Sequence, residues 1–229
     1  MEAALIVGAI IVAGAVAFVF WKIEQKRRQA LASFAASKGL TYKDRDDSVV
    51  SRFTRLGDPF DRGFDREARN ILSGTWDGRK AVAWDFRYHT WETKRDSDGH
   101  SRREKEEHNM SVVAVTSGHD FPDLSVRPEG FLGRTVGRVT GSDIELESDD
   151  FNRAFTVNSD DRRFASDVLH PRMMEMLLQH QDRSWRLVED RVLIISNGRL
   201  DPDELEGSFA FLDALLDQLP RHLLDKPAS

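Results

Sequence analysis

Cysteine is absent from all 229 residues. That excludes disulfide frameworks, thiolate metal sites and cysteine nucleophiles. Lysine is scarce, 8 residues against 25 arginines, and a formal net charge of −6 leaves none of the basic excess that a nucleic-acid binder shows. No nucleic-acid partner is therefore expected. The catalytic signatures are missing as well. No G-x-S-x-G elbow, H-E-x-x-H pair, G-x-x-x-x-G-K-[ST] loop or G-x-G-x-x-G between strand and helix occurs, and no motif implies a cofactor. A composition of 40% hydrophobic and 31% charged residues rules out collagen-like and wholly disordered readings.

What is present begins at once. Ala3 to Trp21 is an uncharged run of 19 residues. As a helix it would span about 28 Å, close to the hydrocarbon thickness of a bilayer. Trp21 would sit at an interface, and Lys22, Lys26, Arg27 and Arg28 follow, against only Glu2 and the amino terminus on the other flank. The positive-inside rule then expects a single-pass anchor in the cell membrane with the carboxyl-terminal domain in the cytoplasm. A cleaved signal peptide is the rival reading, with Ala15-Val16-Ala17 as its site. The basic cluster lies on the wrong side for it. Ala9, Ala13 and Ala17 form a small-residue stripe at four-residue spacing, which reads either as a homodimer seam within lipid or as ordinary spanning-helix composition.

From Lys22 to Lys43 six basic residues face Glu24 alone, a balance of +5. Glu2 contributes −1, so residues 44–229 carry −6 + 1 − 5 = −10. A basic collar of this kind is drawn to anionic headgroups, whereas the acidic body is repelled from them. The expected domains are a transmembrane anchor (1–21), a basic juxtamembrane helix (22–43), an irregular segment pinned by aromatic residues (44–66), an α+β domain (67–220) and a tail (221–229).

Within the domain, Asp77-Gly78 predicts a hairpin that pairs Ser73 with Val82 and sets Ile71 against Trp84. Val82, Trp84, Phe86 and Tyr88 alternate on a face that should be buried. Further strands are expected at Ser111–Val115 and Leu124–Arg127. Hairpins are expected at Ile144–Glu147 with Phe151–Val157, and at Trp185–Val188 with Arg191–Ile195. Pro171 and the stripe Met173, Met174, Leu177, Leu178 predict a helix. The last helix opens at Asp201-Pro202 and buries Leu205, Phe209, Leu212, Leu216 and Leu219. The sum is an α+β fold with a mainly antiparallel curved sheet or small barrel, a helical insertion and a C-terminal packing helix. A pleckstrin-homology-like barrel is one candidate.

The run Phe151-Asn152-Arg153-Ala154-Phe155-Thr156-Val157-Asn158-Ser159-Asp160-Asp161, with Ala165, Leu169-His170-Pro171-Arg172-Met173-Met174 and Leu177-Leu178, resembles a block in an uncharacterised family of bacterial membrane-anchored proteins of unknown function. Pro59-Phe60, Gly63, Asn70, Gly74, Gly78-Arg79, Val126-Arg127-Pro128-Glu129-Gly130, Asp143-Ile144-Glu145 and Gly198-Arg199-Leu200 extend the resemblance over most of residues 40–220. It implies the layout of anchor plus soluble domain and carries over no activity or site residue.

Few residues invite chemistry. Asp85, Arg87 and His89 alternate on the face opposite Trp84. Such a row reads either as an acid–base or anion-binding cluster or as the solvated side of a half-buried strand. Arg134 and Arg138 lie in the glycine-rich stretch Gly130, Gly133, Gly137, Gly141, which would cradle phosphate or simply turn. Asp96-x-Asp98-Gly99 lacks the spacing of a calcium loop, and the seven histidines show no metal-ligand spacing. The segment Glu92–Glu107, with 11 charged residues of 16, reads as a disordered loop or a transient contact for a protein partner. The leading expectation is a non-enzymatic protein-interaction or scaffolding module tethered to the bilayer through residues 3–21. The alternatives are a hydrolase-like enzyme built on Asp85 and His89, and an anionic-lipid surface sensor.

Overall fold

The computed structural model describes residues 2–95, 101–129 and 142–224, without the side chains of residues 2–5, 7–9, 142 and 143. Helix α1 (Glu2–Ser37) is continuous and ends where Gly39 takes φ +69°, a left-handed conformation that favours glycine. From Ile10 to Ile23 every one of its side chains is exposed. From Leu31 onward one stripe turns inward, and Leu31 and Ala35 are buried. Among the described residues no helix is long and apolar enough to cross a membrane. The described side chains of α1 run unbroken only from Ile10, leaving 12 uncharged residues before Lys22. A spanning helix needs about 20. The described part of α1 thus falls short of the expected span. Ala13 and Ala17 are exposed on it, and the side chain of Ala9 lies outside the described residues.

Seven antiparallel strands form one sheet: β1 (Thr41–Arg45), β2 (Phe64–Trp76), β3 (Arg79–Arg95), β4 (Ser101–Pro128), β5 (Ser142–Asp143), β6 (Phe155–Ser159) and β7 (Trp185–Asn197). Their order is β1-β2-β3-β4-β6-β5, and β7 pairs with β4. The sheet is open, with β1 and β5 at the two ends of that path, so the small-barrel expectation gives way to the curved-sheet one. Strand β4 is its spine. Met110–Val115 lies between β3 and β7, and Leu124–Val126 lies between β7 and β6.

The Asp77-Gly78 hairpin forms as expected, with φ +43° and +80° at the turn and Ser73 opposite Val82. Ile71 shares a core with Trp84, but a register shift between Arg69 and Leu72 places Asn70 and Ile71 in a bulge. Three expectations are overturned. The described parts of the charged segment Glu92–Glu107 are not loop: Glu92–Arg95 and Ser101–Glu107 continue β3 and β4 as a ribbon, paired from Arg95↔Ser101 to His89↔Glu107. The diagonal pair Lys94–Glu104 (3.1 Å) offsets the like charges that the register sets opposite each other at Glu92↔Glu104 and Lys94↔Arg102. Trp185–Val188 and Arg191–Ile195 do not pair with each other. They are one strand, β7, running along β4, and Glu189 (φ +49°) bends it where Gly118 (φ +79°) bends its partner. Finally, Phe151–Ala154 belongs to helix α3 (Asp149–Ala154), because Ser148 Oγ accepts the Phe151 N–H at 3.3 Å and two aspartates open the first turn.

Helices α4 (Arg162–Val168), α5 (Pro171–Leu178) and α6 (Leu205–Asp217) join α1 on one face of the sheet. Helix α6 begins a turn later than Asp201-Pro202 suggested, and a short α7 (Arg221–Leu224) follows it. The opposite face carries Trp84, Phe86 and Tyr88 beneath α2 (Ser48–Phe53) and the residues after it, including Leu56 and Phe60. The centre of the sheet is therefore covered on both faces, and the residues opposite Trp84 are not a solvated row.

Candidate functional site: the junction of the long helix with the sheet

The strongest polar cluster lies where α1 meets β3. Asp85 faces the α1 side of the sheet and is 7% exposed. Burying a lone carboxylate is costly, so it must be met by donors. Four donor atoms converge on it: Arg27 Nη1 at 3.4 Å and Nη2 at 2.8 Å, Asn70 Nδ2 at 2.6 Å, and the Leu200 backbone N–H at 2.6 Å. They come from three residues on three segments other than β3. Arg27 is on α1, and Asn70 stands in the β2 bulge with φ +49°. Leu200 lies between β7 and α6. Asp85 thus ties four pieces of the chain at one point.

Arg27 in turn donates to the Leu200 carbonyl at 3.0 Å and to both oxygens of Glu24 at 3.0 and 3.2 Å. Glu24 also accepts from Arg28 and, at 2.8 Å, from Arg199. Partial burial pushes the Glu24 carboxyl up, yet Arg27, Arg28 and Arg199 outweigh it and hold the pKa below the ordinary 4.5. Burial likewise opposes the Arg27 charge, and its two carboxylates raise its pKa regardless. The geometry is that of a clamp between α1 and the sheet.

The rest of the expected row is engaged elsewhere. Arg87 Nη2 donates to Glu67 at 2.6 Å, and Nη1 reaches Glu107 at 3.4 Å. His89 Nε2 lies 3.5 Å from Glu107. Asp85 and His89 are four residues apart on an extended strand, about 13 Å, so they share no proton. The structure does not bring them together as an acid–base pair. His108 stacks on Tyr88 and meets Thr90 Oγ1 at 2.7 Å, while His170 caps α5. Among the described residues no group of three or more His, Asp or Glu side chains is placed to hold a metal ion. Arg134, Arg138 and the Asp96–Gly99 segment lie outside the described residues.

The basic collar is largely committed. Of its six cations, Arg27 and Arg28 bind Glu24, with Arg28 also on Asp44 at 2.7 Å, Lys38 binds Glu206 at 2.6 Å, and Lys43 binds Asp46 at 3.1 Å. Lys22 and Lys26 make no ion pair among the described residues. Sequence reasoning missed Arg27, Asn70 and Leu200 as partners of Asp85, since 58 residues separate Arg27 from it. The legible signal was Glu24-x-x-Arg27-Arg28, three and four residues apart on one helix. A second buried pair also escaped notice: Arg186 holds Asp123 through two hydrogen bonds and donates to the Asp58 carbonyl at 3.1 Å.

Comparison with known proteins adds a partial family match and a likeness of fold. Residues 125–192 match a family described as "Protein of unknown function (DUF3137)". No curated protein matches the chain. A solved structure, the crystal structure of the mycobacterial trehalose monomycolate transport factor A, TtfA, is similar over 84% of this chain and 96% of that one, with a TM-score of 0.55 and 15% identity. At that identity the likeness is one of fold.

Proposed function

We propose that this chain is a membrane-tethered, non-enzymatic interaction module, whose helix holds the α+β domain at a set distance and orientation from the bilayer, on the cytoplasmic side. One observation carries the reading. Along α1, the side chains of Ile10, Ile11, Val12, Val16, Phe18, Val19, Phe20, Trp21 and Ile23 are each about half exposed or more, distributed around the whole helix, and the same helix then runs unbroken into the Arg27–Asp85 clamp. A helix that is apolar all round requires burial by something outside the domain. The residues Ala3–Ala9 that precede Ile10 bring the uncharged run to 19, and Lys22 and Lys26 stand at its domain end with no ion pair to hold them back from headgroups.

The non-enzymatic part rests on Asp85, whose oxygens are consumed by four donors that hold the fold together. The surface-sensor alternative is weakened by the collar, since four of its six cations are neutralised by the protein's own carboxylates. Similarity in fold to a transport factor sits with an accessory role in a larger assembly. A protein partner is the expected occupant of the domain surface.

The test uses a chain otherwise free of thiols. Thr93→Cys places one on the exposed ribbon. Cells expressing this variant are treated with a membrane-impermeant maleimide before and after lysis, and the membranes are then extracted with alkaline carbonate. The proposal expects labelling only after lysis and retention in the membrane pellet. Release into the supernatant would refute the tether, and labelling of intact cells would refute the cytoplasmic placement.

A further inference from the structure

The face of the sheet turned away from α1 carries a feature that the tether does not use. There Trp84, Phe86 and Tyr88 fill the space beneath α2 and the turn after it. The same row continues as Val82, paired with Ser73 on one side and Ala114 on the other. These smaller side chains leave volume unfilled, and a groove of about 560 Å³ opens between α2 and the sheet. That is the size of a small-molecule site.

Its floor is apolar, with Phe53, Ile71, Val82 and Ala114. Its rim is basic. Thr116 pairs with Arg191 on β7, and its Oγ1 donates to the Lys80 carbonyl on β3 at 3.3 Å. Adjacent strands lie about 4.8 Å apart, so Lys80 and Arg191 flank the half-buried Thr116 hydroxyl with backbones about 10 Å apart. Arg52, in the last turn of α2, also lines the groove. The side chains of Arg52 and Lys80 make no hydrogen bond or ion pair among the described residues. Arg191 lies over the Phe53 ring, 5.0 Å from its centroid, and its Nη1 is ion-paired with Asp190 Oδ1 at 2.9 Å. The acid in the lining, Asp46, is already engaged by Ser48 Oγ at 2.6 Å and by Lys43. Two cations without a partner among the described residues, Arg52 and Lys80, and the Asp190-paired Arg191 thus line an apolar floor in a chain whose net charge is −6.

We propose that this groove binds a small amphiphilic anion taken from solution, its apolar body on the Val82–Ala114 floor and its carboxylate, phosphate or sulfate head among Arg52, Lys80 and Arg191. The site is independent of the tether, because it lies across the sheet from α1.

Octyl phosphate below its micelle concentration provides the probe, titrated calorimetrically into the full chain held in zwitterionic nanodiscs, with empty nanodiscs as the blank. One saturable site is expected. Arg52→Gln combined with Lys80→Gln should weaken it by about tenfold or more, the scale of lost charged hydrogen bonds. Arg172→Gln, on exposed α5, should leave it unchanged. Ala114→Leu should fill the floor and abolish binding. If that variant does not fold, the charge variants still decide. Absence of saturable binding, or indifference to the Arg52 and Lys80 changes, would overturn the site. Equal binding of inorganic phosphate would overturn the apolar body, and equal binding of octyl maltoside would overturn the anionic head. Competition that grows with phosphatidylglycerol content in the nanodisc would overturn the assignment to a soluble ligand.

Discussion

The two halves of α1 are one helix under two different physical regimes. From Ile10 to Trp21 its side chains are uncharged and exposed on all sides. From Glu24 to Ser37 a single stripe is buried, with Leu31 and Ala35 in the core and Arg27 clamped on Asp85. Backbone geometry is the same throughout, so the difference lies in what surrounds each half. The docked half is specified by complementarity to particular residues, whereas the free half, under the proposed tether, requires only an apolar medium. Substitutions should therefore be costly in one half and nearly silent in the other, as far as the fold is concerned.

The largest effect is expected at the clamp. Asp85→Ala leaves the Arg27 guanidinium, the Asn70 amide and the Leu200 N–H buried without their acceptor. Breaking a buried pair in this way costs about 3–5 kcal/mol. Urea denaturation of the full chain in nanodiscs measures it, and hydrogen exchange across residues 24–37 should accelerate at the same time. Next comes Leu31→Ala, which opens a cavity at a fully buried position for about 3 kcal/mol. The same denaturation assay should find Ile11→Ala within about 0.5 kcal/mol of the parent, as for an uninvolved surface site. Equal losses at Leu31 and Ile11 would break the comparison.

His170→Ala provides a scale from outside α1. The His170 ring accepts the Met173 N–H through Nδ1 at 3.4 Å, and its Nε2 meets the Gln218 carbonyl at 3.0 Å. Loss of that cap should cost about 1 kcal/mol. Acid should give a smaller, graded effect. Glu24 has a folded pKa below its ordinary 4.5, so below that value the folded state binds fewer protons than the unfolded one. Its contribution is present above pH 4.5 and is lost as pH falls through the lowered value. Glu67 and Glu107 are shifted the same way, Glu67 against partial burial by Arg87 and Arg69, Glu107 chiefly by its hydrogen bond from Asn109. Glu24→Gln should flatten part of the acid limb of a stability–pH curve, and an unchanged limb would remove Glu24 from the account.

Legibility followed locality. The β2–β3 hairpin was readable because Asp77-Gly78 demands one turn geometry, and α5 because Pro171 and the Met173, Met174, Leu177 stripe agree. Helix α3 was not, because Phe151 and Phe155 stand four apart, a spacing that suits both periods. The ribbon strands 92–95 and 101–107 looked like a loop because they carry almost no apolar residues whose alternation would mark a strand. Asp85 was visible as an unusual strand carboxylate, but its meaning was not. Its partners come from residues 27, 70 and 200, and nothing local marks them. The groove was equally hidden, since Lys80, Thr116 and Arg191 meet only through the strand register.

The central claim, that α1 passes from an apolar medium into a docked stalk, has a direct measurement. In the cysteine-free chain, Ile11→Cys and Ala30→Cys each accept one nitroxide, and the labelled protein is reconstituted in lipid. The account predicts that the label at position 11 is relaxed by oxygen and shielded from a water-soluble nickel chelate, with the reverse at position 30. Nickel access at both positions would contradict it.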